Sequence, residues 1–340
     1  MKILCTIGPN VSNTKILGEL VNNGMNVVRF NFSHIDYELA KHLIEYIKNN
    51  HRDVAIMQDL QGNKLRISNL FKKEIKVVPR EKVYFCSEEV YRKYSKEHEN
   101  RYLFVPLTCE GEFSLLNSAN CILMKDATME FEILEKGNGV IKTSVKRGGI
   151  LRAEKGVNAP GMDRRNMGLT AKDKKDIIWG LENGVDIICL SYVSYPENII
   201  ELKNYIKQCK KYKDFKMPKL WSKIESKEGI ENFKNILKES DGIMLGRGDL
   251  VAEADLLDIP QIQQDLLNIM KKSKKDFIIA TYLLESMKRN VRPTVSEIND
   301  ICYFLQNKVN GFMLAGEVSI GNNPILVVKT LKDIIDRYSC

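Results

Sequence analysis

Three side chains in the second half of the sequence have the types and spacing for phosphoryl or enolate chemistry: Lys223, Glu225 and Asp249. Lys223 and Glu225 stand two apart in an apolar run, and alternate residues of a strand point to one face. An ammonium and a carboxylate are thereby set side by side. Asp249 follows a second apolar run and the turn Gly246-Arg247-Gly248. Two carboxylates, a lysine and a glycine-lined turn suit a magnesium–phosphate–enolate site. Mg²⁺ takes hard oxygens from one or two carboxylates plus the substrate, and a lysine neutralises an enolate or a phosphoryl group in flight. A Gly-x-Gly-Asp turn can also expose backbone N–H groups at the start of a helical turn, where anions bind. The dinucleotide fingerprint Gly-x-Gly-x-x-Gly and the P-loop are both absent.

Such groups need a scaffold, and the pattern around them supplies one. Eight short apolar runs (2–7, 25–32, 54–60, 186–193, 219–225, 242–245, 277–283 and 311–315) alternate with helix-like stretches at 37–50, 171–183, 196–211, 229–239, 262–274, 296–307 and 324–337. Strand–helix repetition implies a parallel sheet with crossover helices, and eight units favour a closed (β/α)₈ TIM barrel. The fold class is therefore α/β, with the barrel expected over 1–67 and 156–340. Between them, residues 68–155 break into short β-like pieces at 75–79, 82–86, 119–124, 129–134 and 139–145. This reads as a small all-β lid inserted after the third strand, on the rim where barrel chemistry takes place.

Polar residues gather where such a barrel needs them, at the C-terminal ends of the strands. Arg29, Asn31 and Ser33 alternate with Phe30 and Phe32. The third run ends at Gln58-Asp59 and leads into Lys64 and Arg66. The later ends carry Ser191, Lys223 with Glu225, Arg247 with Asp249, Thr281, and Gly316-Glu317.

Composition narrows the class. The chain has 340 residues, 44% of them hydrophobic, enough for a large core in one or two domains. Its net charge of +8 comes from scattered lysines without an arginine-rich tract, which reads as solvated surface and a field suited to anionic substrates. Nucleic acid is not expected as a partner. None of the eight cysteines (Cys5, Cys86, Cys109, Cys121, Cys189, Cys209, Cys302, Cys340) forms a Cys-x-x-Cys pair, a reduced, cytoplasmic pattern. No signal-peptide core opens the sequence, and no apolar stretch approaches the ~20 residues of a membrane span, so no membrane partner is expected.

In combination and order, several motifs resemble pyruvate kinase over nearly the whole length. They are Cys5-Thr6-Ile7-Gly8-Pro9, the run from Gly24 to His34, Lys155-Gly156-Val157-Asn158, Ser222-Lys223-Ile224-Glu225, the run from Asp241 to Leu250, Ala280-Thr281 with Leu284-Glu285-Ser286-Met287, and Arg292-Pro293-Thr294. The resemblance implies a (β/α)₈ barrel with a β-barrel lid. It also implies Mg²⁺-dependent (or Mn²⁺-dependent) phosphoryl transfer between phosphoenolpyruvate and ADP, giving pyruvate and ATP. By the same resemblance, Lys223, Arg29 and Thr281 are catalytic. Glu225 and Asp249 are metal ligands. Gly248, Asp249, Thr281 and Arg29 hold the substrate, and Asn31, His34, Arg66 and Lys155 meet the nucleotide. Asn31, Ser33 and Asp59 mark a monovalent-ion position.

The departures from the family pattern also carry expectations. Lys64 stands where K⁺-dependent members have a glutamate, so its ammonium is expected to replace K⁺. Ser191-Tyr192-Val193-Ser194 lacks the usual arginine, and Ala315-Gly316-Glu317 lacks a hydroxyl associated with the proton relay. Thr281-Tyr282 replaces Thr-Gln, and Lys125-Asp126-Ala127 replaces Asp-Asp-Gly in the lid. The sequence ends after the eighth helix, so a short form without the C-terminal regulatory domain is expected, and the assembly is left as a possible homo-oligomer. Three alternatives accompany the main reading: a dedicated biosynthetic enzyme for a related 2-oxo acid or enol phosphate, a silent phosphoenolpyruvate- or nucleotide-binding protein, and a lyase of the wider phosphoenolpyruvate/pyruvate barrel group.

Overall fold

Parallel strands buried on both faces must be apolar almost throughout, which is how the eight runs read. In the computed structural model they are Lys2–Thr6, Val27–Asn31, Ala55–Leu60, Ile187–Leu190, Lys219–Ile224, Gly242–Gly246, Asp276–Ala280 and Gly311–Leu314. They pair in sequence order, all parallel, and the eighth returns to the first to close the barrel. The described residues are 1–94, 102–109, 113–210 and 214–339. Cys340, Lys211 of the expected helix 196–211, and residues 95–101 and 110–112 of the expected lid lie outside them.

Alternation then sorts the strand residues. One face packs inward as Leu4, Val27, Met57, Ile187, Cys189, Trp221, Met244, Ile278, Ala280 and Met313, all nearly inaccessible to solvent. Burying each large apolar side chain contributes about 1.5–3 kcal/mol, so this plug is a main source of stability. The opposite face meets helices such as Tyr37–Asn50, whose buried stripe is Ala40, Leu43, Ile44 and Ile47. Asp36 caps that helix by accepting from the Leu39 amide at 3.1 Å. Thr294, of the Arg292-Pro293-Thr294 motif, starts Val295–Gln306 with a capping box shared with Glu297. The Glu297 carboxylate also accepts from the Ser286 amide at 2.7 Å and the Ser286 hydroxyl at 2.6 Å. Two of the sequence motifs are thus braces tied through one carboxylate.

Some elements depart from the expected pattern. The fourth strand stops at Leu190 and the seventh at Ala280, because Tyr192, Thr281 and Tyr282 take positive φ values of 55°, 67° and 55° and leave the ladder. The expected helix 229–239 is two helices, Lys227–Glu231 and Phe233–Glu239. Between them Asn232 donates to the carbonyls of Ser194 and Glu228, each at 3.0 Å. Ser33 does not continue the second strand; it lies in a 3₁₀ turn, Phe32–His34, where its amide donates to Asn31 Oδ1 at 3.2 Å. Helices Thr14–Asn22 and Glu88–Tyr94 were not anticipated.

The chain divides into two units, Met1–Gly62 with Ala171–Gly248 and Pro260–Cys340, and Asn63–Thr170 with Asp249–Ile259. The second unit is a closed seven-stranded barrel in the order Val140–Arg147, Lys82–Ser87, Phe104–Thr108, Leu65–Ile67, Gly156–Asn158, Cys121–Met124, Met129–Gly137. Its core holds Phe71, Phe85, Phe131, Leu116 and Ile122. Strands Leu65–Ile67 and Gly156–Asn158 were expected with the large barrel and instead complete this small one.

The hairpin after Cys121–Met124 carries three successive left-handed residues, Lys125, Asp126 and Ala127, with φ of 53°, 51° and 59°. A side chain costs about 1–2 kcal/mol in that region. Ala127→Gly is therefore expected to raise stability by about 1 kcal/mol, read as a higher urea midpoint at unchanged m-value. A lower midpoint would contradict the strain argument.

Candidate active site

Five of the eight barrel strands carry their inward face on past the apolar plug, and two residues further along the side chain turns polar. Leu4 is followed by Thr6, Val27 by Arg29, Met57 by Asp59, Cys189 by Ser191 and Trp221 by Lys223. Met244 and Met313 are followed by small residues, Gly246 and Ala315. The result is a polar ring at the C-terminal ends of the strands.

Asp59 is the hub of that ring. Its Oδ2 accepts from Arg29 Nε at 2.7 Å and Lys223 Nζ at 2.9 Å, and Arg29 Nη2 lies 2.5 Å away. Its Oδ1 accepts from the Ser191 hydroxyl at 3.1 Å. Arg29 Nη1 donates to Thr6 Oγ1 at 2.7 Å, and Thr6 in turn donates to the Leu314 carbonyl at 2.9 Å. Lys223 Nζ is 3.8 Å from Glu225 Oε1, and Glu225 Oε2 accepts from the Tyr192 amide at 3.1 Å. All four charged groups are buried: Arg29 6%, Asp59 1%, Lys223 8% and Glu225 5% exposed. Gly246 gives Glu225 its room, since a Cβ there would stand 2.6 Å from Glu225 Cγ.

The electrostatics follow from this packing. Burial alone would raise the Asp59 carboxyl, but the Lys223 ammonium and the Arg29 guanidinium outweigh it and hold it below the usual value of 3.8. Burial would lower Lys223; the carboxylates of Asp59 and Glu225 outweigh that and raise it. Lys223 is therefore a fixed cation at neutral pH, suited to stabilising anionic charge and not to accepting a proton.

At the seventh strand end, Thr281 Oγ1 donates to the Ala280 carbonyl at 2.6 Å and accepts from the Gly248 amide at 2.9 Å. Two of the groups expected to hold a substrate carboxylate, the Gly248 amide and the Thr281 hydroxyl, are thus bonded to each other. Arg247 holds them in place: its guanidinium donates to the Thr281 carbonyl and to Asp300 Oδ2, the latter at 2.7 Å, and stacks on Phe304 at 5.1 Å. At the eighth strand end Glu317 is 1% exposed. Its Oε2 accepts from the Ala315 amide at 2.8 Å, and burial raises its carboxyl above 4.5. No role was read for Glu317 from the sequence; its signal was an acidic residue at an inward strand end.

The second unit carries the remaining candidates. Lys64 Nζ donates to both Asp249 oxygens, at 2.8 and 2.7 Å. Asn158 Nδ2 bridges Asp249 Oδ1 at 3.4 Å and Glu253 Oε1 at 3.2 Å, and Arg164 pairs with Glu253 at 2.9 Å. Glu253 follows Asp249 by one helical turn in Arg247–Glu253. That spacing was the available signal for a network the sequence reading left unassigned. Arg66 donates to the Glu154 carbonyl at 2.9 Å and Lys155 to the Ile150 carbonyl. Burial first, then Arg152 and Lys125, lower the Lys155 ammonium. Asn31 is half-buried and His34 exposed, both in the first unit.

Among the described residues no three His, Cys, Asp or Glu side chains form a metal-binding group. A protein site of at most two carboxylates suits Mg²⁺, which keeps waters and substrate oxygens in its shell. The Asp249 carboxylate fits such an ion, because a cation, the Lys64 ammonium, already straddles both its oxygens. Also among the described residues, no helix is long and apolar enough to cross a membrane.

Comparison with known proteins agrees with this geometry. The family model "Pyruvate kinase, barrel domain" matches residues 1–328. Proteins named pyruvate kinase are similar throughout: from Bacillus licheniformis, 32% identical over 99% of this chain and 56% of the relative; from Clostridium perfringens, 33% over 99% and 69%; from Staphylococcus saprophyticus, 35% over 98% and 56%. The chain spans little more than half the length of the first and third. With a barrel-domain match over nearly its full length and motifs seated at the ends of the barrel strands, the chain belongs to the pyruvate kinase family.

Proposed function

We propose that this protein transfers a phosphoryl group between phosphoenolpyruvate and ADP, forming pyruvate and ATP with Mg²⁺ or Mn²⁺. The observation that carries this reading is the buried Arg29–Asp59–Lys223–Glu225 cluster. Phosphoryl transfer needs positioning and charge neutralisation more than covalent help. Asp59 fixes Arg29 and Lys223 in one place without quenching either, because two cations share one carboxylate. Lys223 is assigned to the transferring group and the enolate, Arg29 to the phosphoryl oxygens, and Gly248 with Thr281 to the substrate carboxylate. Glu225 and Asp249 are assigned as ligands of the divalent ion, which supplies Lewis-acid polarisation when bound. Asn31, His34, Arg66 and Lys155 are assigned to the nucleotide, and the second unit to a lid. The seven described cysteines are all free thiols, which supports a cytoplasmic setting.

Lys64 is assigned the charge that K⁺ supplies elsewhere, with Asn31, Ser33 and Asp59 as the ion-side residues. A coupled assay with phosphoenolpyruvate, ADP and Mg²⁺ is expected to form pyruvate equally with and without K⁺. Activity only with K⁺ would discard the role of Lys64 and keep the enzyme. A second reading, a related enol phosphate as substrate, is favoured by the ring itself: Ala315 places a methyl where a relay hydroxyl is expected. Absence of turnover with phosphoenolpyruvate, alongside turnover of a homologous enol phosphate, would select it.

A further inference from the structure

We propose that Lys64 is the resident counter-cation of Asp249 and that a divalent ion must displace it, so that Lys64 sets the metal affinity of this site. The inference rests on the reading of Asp249 as a metal ligand. The Lys64 ammonium contacts both carboxylate oxygens, at 2.8 and 2.7 Å, so a divalent ion held by Asp249 would compete with it for that carboxylate. The pair is only partly open to water, with side chains 22% and 17% exposed, so salt screens it incompletely.

The surroundings aim Lys64 at this carboxylate. Glu253, one turn along the helix, is balanced by Arg164, and both side chains are almost fully buried at 1% and 5% exposed. Asn158 lies between the two acids and donates to each. Gly156 opens the path: a Cβ at that position would stand 2.7 Å from Lys64 Cε and 3.3 Å from Nζ. The lysine stem crosses the strand at the one residue there without a side chain.

Binding is then an exchange of cations. The carboxylate would give up one monopositive partner and take a dipositive one. The freed ammonium becomes available for the K⁺-like duty assigned to it above. One side chain thereby couples loading of the divalent ion to the monovalent-type activation.

Mn²⁺ titration of the full chain without substrates, followed by electron paramagnetic resonance, tests this. Lys64→Gln is expected to lower the Mn²⁺ dissociation constant about twofold to fivefold, the worth of one partly exposed ion pair. Gly156→Ala keeps the charge and pushes the lysine aside, and is expected to shift affinity in the same direction by less. It also carries the test if Lys64→Gln fails to fold. Unchanged or weaker Mn²⁺ binding in the folded variants would overturn the proposal, as would the absence of Mn²⁺ binding by every protein. Pyruvate formation is read separately. Lys64-dependent Mn²⁺ affinity without turnover would overturn the substrate reading and keep this inference; turnover with Lys64-independent affinity would do the reverse.

Discussion

Lys223→Met is expected to lower kcat for phosphoryl transfer by about 10³-fold or more while leaving a folded barrel. A preorganised charge aimed at developing negative charge is worth ~10²–10³ in rate even for a single neutral donor, and Lys223 is a full cation held in a water-poor ring. Its KM for phosphoenolpyruvate is expected to change much less, because the other anion contacts assigned to the substrate remain. Folding survives because Asp59 keeps Arg29 at 2.5 Å and the Ser191 hydroxyl at 3.1 Å, and methionine fills much of the volume of the lysine stem. The stability loss is expected to stay within about 3 kcal/mol, below that for a carboxylate stripped of all its partners. Steady-state kinetics with circular dichroism and a urea melt check both halves. A variant within tenfold of the parent rate would remove Lys223 from the chemistry.

Asp59→Asn makes the opposite error, leaving two buried cations without their shared anion. A loss of about 3–5 kcal/mol is expected at pH 7, with activity falling as Arg29 and Lys223 lose their common anchor. The pH dependence follows from the direction of the shift. Because the folded Asp59 carboxyl lies below its unfolded value, its contribution is complete above about pH 4 and is lost as pH falls through the folded value. The stability gap between parent and variant is therefore expected to be widest at neutral pH and to narrow below pH 4, where the unfolded chain's carboxylate takes up a proton that the folded one still resists. Urea midpoints at pH 7 and pH 3 measure it. A gap below about 1 kcal/mol at pH 7, or one independent of pH, would show that Asp59 is not the hub.

The barrel was legible in the sequence because strands buried on both faces leave unbroken apolar runs, and their spacing counted eight. The ends were not. Tyr192, Val193 and Leu283 are apolar and buried, so hydropathy continues past the point where the backbone leaves the ladder at Leu190 and Ala280. The small barrel was read only in part. Leu65–Ile67 and Gly156–Asn158 are three residues each and pair across ninety positions of sequence, too short for a period and too distant for a turn signal. At the site, residue types sufficed to nominate Arg29, Lys223 and Glu225. The centrality of Asp59 was hidden because its partners lie 30 and 164 residues away. Asn158, Arg164 and Glu253 were hidden for the same reason, apart from the one-turn spacing of Glu253 from Asp249.

The step from plug to ring, two residues along five of the strands, also protects the molecule against error in its own assembly. Side chains on a strand alternate, so slipping any of these five strands by one position would turn its plug residue outward and its ring residue away from the others in the same move. A miswired ring therefore comes with a broken core. Copies folded in the wrong register would not persist as stable impostors competing for substrate; they would unfold and try again. Fidelity of the charge arrangement is in this sense proofread by the hydrophobic effect.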